Sequence, residues 1–132
     1  YTNSLKVNTV LIKMLKAKIH RVTVTEANLD YTGSLTLDED LMDAAQIKEY
    51  EKIHVLDITN GSRIETYIIR GKRSSGQVCI NGAAAHLVKT GDLVIIVSYC
   101  QITDEESLYH QPQIVYVDAD NQVLSTSTEK TF

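Results

Sequence analysis

Hydrophobic and polar residues alternate with a period of two over many short stretches of this chain, and follow a helical period over only one. Successive side chains of a strand point to opposite faces, so such alternation marks strands with one face buried. Lys16 to Thr25 is β-rich, with Val22 and Val24 on one side. Tyr31, Gly33, Leu35 and Leu37 share one side of the next alternating run. Asp38-Glu39-Asp40 then opens the one clear helix. Asp38 suits the cap, the acids suit the positive end of the helix dipole, and Leu41, Met42, Ala44 and Ala45 supply an apolar face. Lys52 to Ile58 and Arg63 to Arg70 read as strands joined by Thr59-Asn60-Gly61-Ser62, because Asn-Gly between β-rich runs is a strong hairpin signal. Ser74-Ser75-Gly76 turns the chain into a strand at Val78-Cys79-Ile80. Asn81-Gly82 ends that strand, and Ala83 to His86 makes a short helical turn. Leu93 to Tyr99 is a continuous apolar run of the kind buried on both faces. Thr103 to Ser107 adds a short helix, Ile114 to Val117 a last strand, and Ser125 to Phe132 a polar tail expected to be disordered. Many short strands with little helix predict a small β-barrel.

Composition narrows the setting. At 132 residues and 43% hydrophobic content, the chain can bury one domain's core without disulfides. Met14-Leu15-Lys16 reads as a natural start, so residues 1–13 are taken as an N-terminal extension, 14–124 as the barrel domain and 125–132 as a flexible tail. A net charge of −4 with no basic patch argues against nucleic acid, whose binding depends on neutralising phosphates. No apolar run is long enough for a bilayer, and Tyr1 to Lys13 lacks a secretory pattern, so no membrane partner and a cytoplasmic location are expected. Cys79 and Cys100 lie far apart in apolar stretches and read as buried reduced thiols. His20, His54, His86 and His110 show no metal-ligand spacing, so no metal is expected.

The candidate chemistry is modest when each piece is taken alone. Ser34 places a hydroxyl directly after Gly33, although a glycine of close approach followed by an ordinary strand serine accounts for the pair equally well. Lys18 and His20 project from one face of their strand, as do Arg63 and Tyr67 of theirs; a solvated face explains the first pair just as well. Asn81-Gly82-Ala83-Ala84-Ala85 lets backbone approach a ligand, or is a plain strand-to-helix turn.

Five segments taken together carry more. Lys18-Ile19-His20-Arg21, Leu29-Asp30-Tyr31-Thr32-Gly33-Ser34, Thr59-Asn60-Gly61 with Arg63 and Glu65-Thr66-Tyr67, Asn81-Gly82-Ala83-Ala84-Ala85 and Gly91-Asp92-Leu93-Val94-Ile95-Ile96 stand in the order and approximate spacing of one family. Over nearly all of Met14 to Asp120 the sequence resembles the bacterial pyruvoyl-dependent aspartate decarboxylases. Thr32 and Leu87 depart mildly from the family pattern, and neither carries chemistry. The resemblance implies a double-psi β-barrel, with one or two short helices, assembled as a homotetramer with active sites between subunits. It implies autocatalytic cleavage at Gly33-Ser34 into residues 1–33 and 34–132, leaving a covalent pyruvoyl group in place of Ser34. Thr66 would hold the oxyanion during processing, although alternation turns it away from Tyr67. The implied reaction is decarboxylation of L-aspartate to β-alanine through a Schiff base to that group, supplying pantothenate and coenzyme A synthesis. By the same resemblance Tyr67 donates the proton, while Lys18, His20, Tyr31, Arg63, Thr66, Asn81, Gly82, Ala83 and Ala84 bind substrate. Arg63 with Lys18 suits a dicarboxylate better than another small amino acid. The opposing expectation is an uncut, catalytically silent barrel that binds without reacting.

Overall fold

The longest strand, β1 (Leu11–Thr23), organises the molecule, whose computed structural model describes residues 10–128. It pairs antiparallel with β7 (Leu93–Thr103) on one edge and parallel with β8 (Gln113–Val117) on the other. Its register slips between Leu15 and Ala17 and again between Ile19 and Val22, where Arg21 has a φ of 62°. Bulges of this kind bend a strand and raise its twist, which a sheet needs to close around a core. The remaining strands are β2 (Glu26–Asn28), β3 (Ser34–Asp38), β4 (Lys52–Asp57), β5 (Arg63–Gly71), β6 (Val78–Asn81) and β9 (Val123–Ser127). Their order in the sheet is β2-β6-β3-β5-β4-β7-β1-β8-β9, with parallel pairing in β1–β8, β2–β6 and β3–β5.

Seven of these strands send side chains into one cluster. Ile19 and Val22, Leu35 and Leu37, Val55, Ile68, Ile80, Ile96 and Val115 are all fully buried there, joined by Leu41 and Ala45 of the helix α1 (Glu39–Ala45). Each such side chain gains about 1.5–3 kcal/mol on leaving water, so this interior is the main source of stability. The chain is therefore mainly β, curled around a single core, as the alternation implies.

Local chemistry sets the ends of α1. The Asp38 carboxylate accepts from the Asp40 N–H at 2.8 Å, and also from the N–H groups of Ser74 and Gly76, which ties the helix start to the 74–76 turn. Gln46 ends the helix in the left-handed conformation. A second short helix, α2 (Asp104–Ser107), opens on a capping box between Thr103 and Glu106.

Several boundaries differ from the sequence reading. The alternating run expected from Tyr31 becomes strand only at Ser34, after the bend at residues 31–33. β1 begins at Leu11, ahead of Met14, and β7 runs on to Thr103 because its ladder with β1 continues to Leu11. Ser125, Thr126 and Ser127 were expected to be disordered, yet they pair with Tyr116, Val115 and Ile114 as part of β9. Their polar side chains suit an outermost strand, where ladder hydrogen bonds hold the backbone and little apolar surface is needed. Thr128 follows β9 as an exposed bend, and the last residues of the expected tail, 129–132, and residues 1–9 lie outside the described residues.

Candidate active site

The antiparallel pairing of β3 with β6 sets Ser34 opposite Asn81 and Thr36 opposite Cys79. Directly opposed residues share a face, and so do residues two apart on one strand. These four side chains therefore form a small polar square, while Leu35, Leu37 and Ile80 point the other way into the core. The square floors a cavity of about 430 Å³, with Tyr31 and Thr32 at its edge, Tyr67 and Ile69 from β5, and Glu26 and Gln77 completing the wall.

Ser34 is 4% exposed, and its hydroxyl is held from two sides. Oγ donates to the Thr32 carbonyl at 3.3 Å and accepts from the Asn81 amide Nδ2 at 3.0 Å. The same Nδ2 donates to Thr36 Oγ1 at 3.0 Å, and the Cys79 thiol donates to Asn81 Oδ1 at 3.2 Å. Burial first, then the neighbouring Glu26 carboxylate, push the Cys79 thiol pKa upward. Gly82 matters through what it lacks. A Cβ there would come within 2.6 Å of the Gly33 Cα and 2.8 Å of the Gly33 nitrogen, and its φ of +74° favours glycine in any case. The 3₁₀ turn Gly82–His86 can thus press its backbone against Gly33, with Ala83 exposed on the turn and Ala84 packed on the core.

Within one chain the structure gathers some of the expected site residues and not others. Ser34, Tyr31, Tyr67 and Asn81 line the cavity, while Gly33 and Gly82 pack against each other next to Ser34 and Asn81 in the chain. Thr66 occupies the opposite face of β5, paired with buried Ile53, as strand alternation requires. Lys18, His20 and Arg63 are absent from the cavity wall. Arg63 pairs with Leu56, Leu56 with Ile95, and Ile95 falls at the bulge of β1 beside His20. Lys18 and His54 both pair with Val97 in the adjacent row. Arg63 and Lys18 supply the cations of this strip on the outer face of the sheet. The same face also holds the Glu65 carboxylate, paired with Lys52 and 3.5 Å from His54. Arg63 stands four residues from Tyr67, which is about 13 Å along a strand. His20 packs edge-on against Tyr116, with ring centroids 5.9 Å apart. Burial, followed by the charges of Lys18 and Arg21, lowers its pKa and favours the neutral ring.

Thr36, Cys79, Glu26 and Gln77 also line the cavity and were not singled out from the sequence. A usable signal was present for two of them: Thr36 stands two residues after Ser34, and Cys79 two before Asn81, so each shares a strand face with a candidate. Among the described residues no group of three or more His, Cys, Asp and Glu side chains could hold a metal ion. Nor is any helix among them long and apolar enough to cross a membrane.

Comparison with known proteins bears on this geometry. The chain is 56% identical over 121 residues to aspartate 1-decarboxylase of Caldicellulosiruptor saccharolyticus, covering 92% of this chain and 94% of that protein. It is 57% identical over 120 residues to the enzyme of the same name from Corynebacterium efficiens, covering 91% and 88%. For the one from Acetivibrio thermocellus the identity is 54% over 121 residues, covering 92% and 96%. Among solved structures, the computationally designed protein msDPBB_sym2 overlaps 66% of this chain and 99% of its own, at 15% identity and a TM-score of 0.42. That overlap is too loose to bear on the fold, which the strand pairings define. The family model described as aspartate decarboxylase matches residues 10–124, a span that holds the Ser34 cavity and the cationic strip alike, and the chain belongs to that family.

Proposed function

We propose that this chain cleaves itself between Gly33 and Ser34, converts Ser34 to a pyruvoyl group, and then decarboxylates L-aspartate to β-alanine and carbon dioxide. The observation that carries this reading is a buried serine hydroxyl, fixed by Asn81, directly after a glycine whose backbone is crowded by bare Gly82. The relatives' shared name supports the substrate. Family membership also brings the double-psi form of the barrel.

The cleavage uses the chain's own atoms. Ser34 Oγ attacks the Gly33 carbonyl carbon; the C–O bond forms, the C–N bond breaks, and the proton passes to the released nitrogen to give an ester. Loss of the Ser34 α-proton expels the Gly33 carboxylate and leaves dehydroalanine, which water converts to the pyruvoyl group and ammonia. Because the attack is intramolecular, positioning supplies much of the acceleration, with effective molarities reaching about 10⁵ M or more in well-oriented cases. The surroundings fit such a group. Position 34 is buried, the Asn81 N–H points at it, and the cavity beside it is large enough for a four-carbon diacid.

When formed, the pyruvoyl carbonyl supplies an electron sink for the amino acid bound beside it. The protein's residues do the rest. Tyr67, on the cavity wall, presents a phenol O–H as the proton donor to the substrate α-carbon. Arg63 offers a planar fork for a carboxylate and Lys18 a point charge, with His20, Tyr31 and the Ala83-Ala84 backbone alongside. Lys18, His20 and Arg63 lie on the outer sheet face and not in the Ser34 cavity of their own chain. This reading therefore has a neighbouring copy bring its cationic strip over the cavity, in a homotetramer with sites between subunits. Such an enzyme acts in the cytoplasm and feeds pantothenate and coenzyme A synthesis.

Intact-mass measurement of the purified protein tests the proposal. Two chains broken at Gly33-Ser34, the second lacking a free amino terminus, are expected. A single unbroken chain that still turned over aspartate would overturn it, and a single inert chain would indicate the silent barrel.

A further inference from the structure

We infer that Cys79 is a positioning residue, whose thiol fixes the Asn81 side-chain amide in the one orientation that readies the Ser34 oxygen for attack; this rests on the self-cleavage reading above. The geometry is a closed set of hydrogen bonds. Asn81 has two ends, a carbonyl oxygen and an amide nitrogen, nearly identical in shape and opposite in function. Its nitrogen faces two hydroxyls, Ser34 Oγ and Thr36 Oγ1, each at 3.0 Å. Both hydroxyls can donate as well as accept, so they tolerate either end of the amide. The choice falls to the group at the other end, the Cys79 sulfur, 3.2 Å from Asn81 Oδ1. A protonated thiol donates there and selects the oxygen.

Burial, then the neighbouring Glu26 carboxylate, raise that thiol's pKa and keep the proton on sulfur, with Glu26 as a second acceptor beside Asn81 Oδ1. Cys79 is 3% exposed and the cross-strand register places it opposite Thr36, on the face that Ser34 and Asn81 share.

The chemical consequence lies at Ser34. With nitrogen toward it, Ser34 accepts from Asn81 and sends its own proton to the Thr32 carbonyl. With the amide reversed, Ser34 would donate its proton to the Asn81 oxygen. A single reversal therefore replaces the N–H donor beside the reacting oxygen with an acceptor and turns the Ser34 proton away from the Thr32 carbonyl. For scale, losing a donor aimed at a developing oxyanion costs roughly 10²–10³-fold in rate. Loss of the selector leaves both orientations populated, so the effect expected for Cys79 is smaller, on the order of 10-fold.

The test compares unprocessed wild-type protein with Cys79→Ala and Cys79→Ser, following cleavage by intact mass over time and folding by thermal melting. Alanine and serine both remove the bulk of sulfur, and only serine keeps a donor. Cys79→Ala is expected to melt near the wild-type temperature and to cleave about 10-fold more slowly, with Cys79→Ser recovering most of the rate. A purely structural cysteine would be replaced equally well or badly by both. If wild type cleaves and the two variants cleave alike, whether fast or slow, the inference fails while the self-cleavage reading stands. If wild type does not cleave at all, the reading beneath it fails. Should Cys79→Ala melt far lower, the ratio of Ser to Ala cleavage rates below both melting points still decides the matter, because a ratio near one overturns the inference.

Discussion

The β3–β6 square and the cationic strip across β5, β4, β7 and β1 belong to one sheet, yet they are built on different terms. In the square every polar side chain is satisfied from within the chain: Ser34 by Thr32 and Asn81, Asn81 by Cys79 and Thr36. Ser34, Cys79 and Asn81 are buried, and bare Gly82 lets its backbone close against Gly33. The strip presents Arg63 exposed on the outer face, well along the strand from Tyr67 and outside the Ser34 cavity. The contrast follows from what each region has to do. A cleavage within one chain can be fully assembled by that chain's folding. Under the proposed reaction, recognition of a diacid needs cations, and Lys18 and Arg63 lie outside the Ser34 cavity of their own chain.

The largest effect separates the two regions outright. Ser34→Ala removes the nucleophile from the square and touches nothing on the strip. It should give a folded, uncut chain with no detectable aspartate turnover, because alanine fills a strand position without offering a hydroxyl. Gel electrophoresis and a β-alanine assay check this, and wild-type activity in the variant would end the pyruvoyl reading.

Next comes the strip. Arg63→Ala should cleave normally and lose turnover by about 2–5 kcal/mol, the usual consequence of removing one partner from a desolvated Arg–carboxylate contact. Lys18→Ala should cost less. Mixing Ser34→Ala chains with Arg63→Ala chains, dissociated and reassembled together, sharpens the comparison further. Activity should reappear in the mixture, because some sites then combine an intact cavity from one copy with an intact strip from another. No recovery would mean that both halves act from a single chain.

Tyr67 stands on the same strand face as Arg63 but on the wall of the Ser34 cavity. Tyr67→Phe keeps the ring and removes the proton, so cleavage should proceed while turnover falls roughly 10²-fold, within the usual range for general-acid catalysis. KM should change little, since the carboxylate contacts remain. An unaltered kcat would pass the proton to another group.

The smallest effect concerns the turn that carries Arg63. Asp57 is buried at its base, accepting from the N–H groups of Thr59 and Asn60. Burial first, then neighbouring Asp92, raise its pKa to about 6. A carboxyl whose pKa is raised by folding gives stability that is complete below its unfolded value of about 4 and is lost as pH climbs through about 6. The Asp57 contribution should therefore favour about pH 5 over about pH 8 by about 1 kcal/mol. His20, whose pKa is lowered, pulls the other way in the same window, so Asp57 is read from how the melting difference between the two pH values changes on substitution. Asp57→Asn keeps an acceptor for the turn and removes the titration, so the balance should move toward the higher pH. Asp40 and Glu65, whose pKa values are depressed, stay ionised across that window and drop out of the comparison. Cleavage at the square should be indifferent to this substitution.

Much of this was legible in the residues. Alternation at Leu35 and Leu37 located β3, Asn60-Gly61 located the hairpin, and Asp38 located the start of α1, because these signals act over a few residues and depend on local geometry. The polar tail misled, since Ser125 to Ser127 are held by ladder hydrogen bonds to β8, and a partner strand leaves no mark on the sequence it pairs with. The same limit governs the site. The sequence by itself determined that a hydroxyl follows a glycine at positions 33 and 34, and that Arg63 and Tyr67 share a face. Only the tertiary structure decided that the face carrying Ser34 and Thr36 meets the face carrying Cys79 and Asn81, while Lys18, His20 and Arg63 lie outside their cavity. Strand register across sequence separations of more than forty residues is fixed by the closing of a whole core, and no window of local sequence contains it.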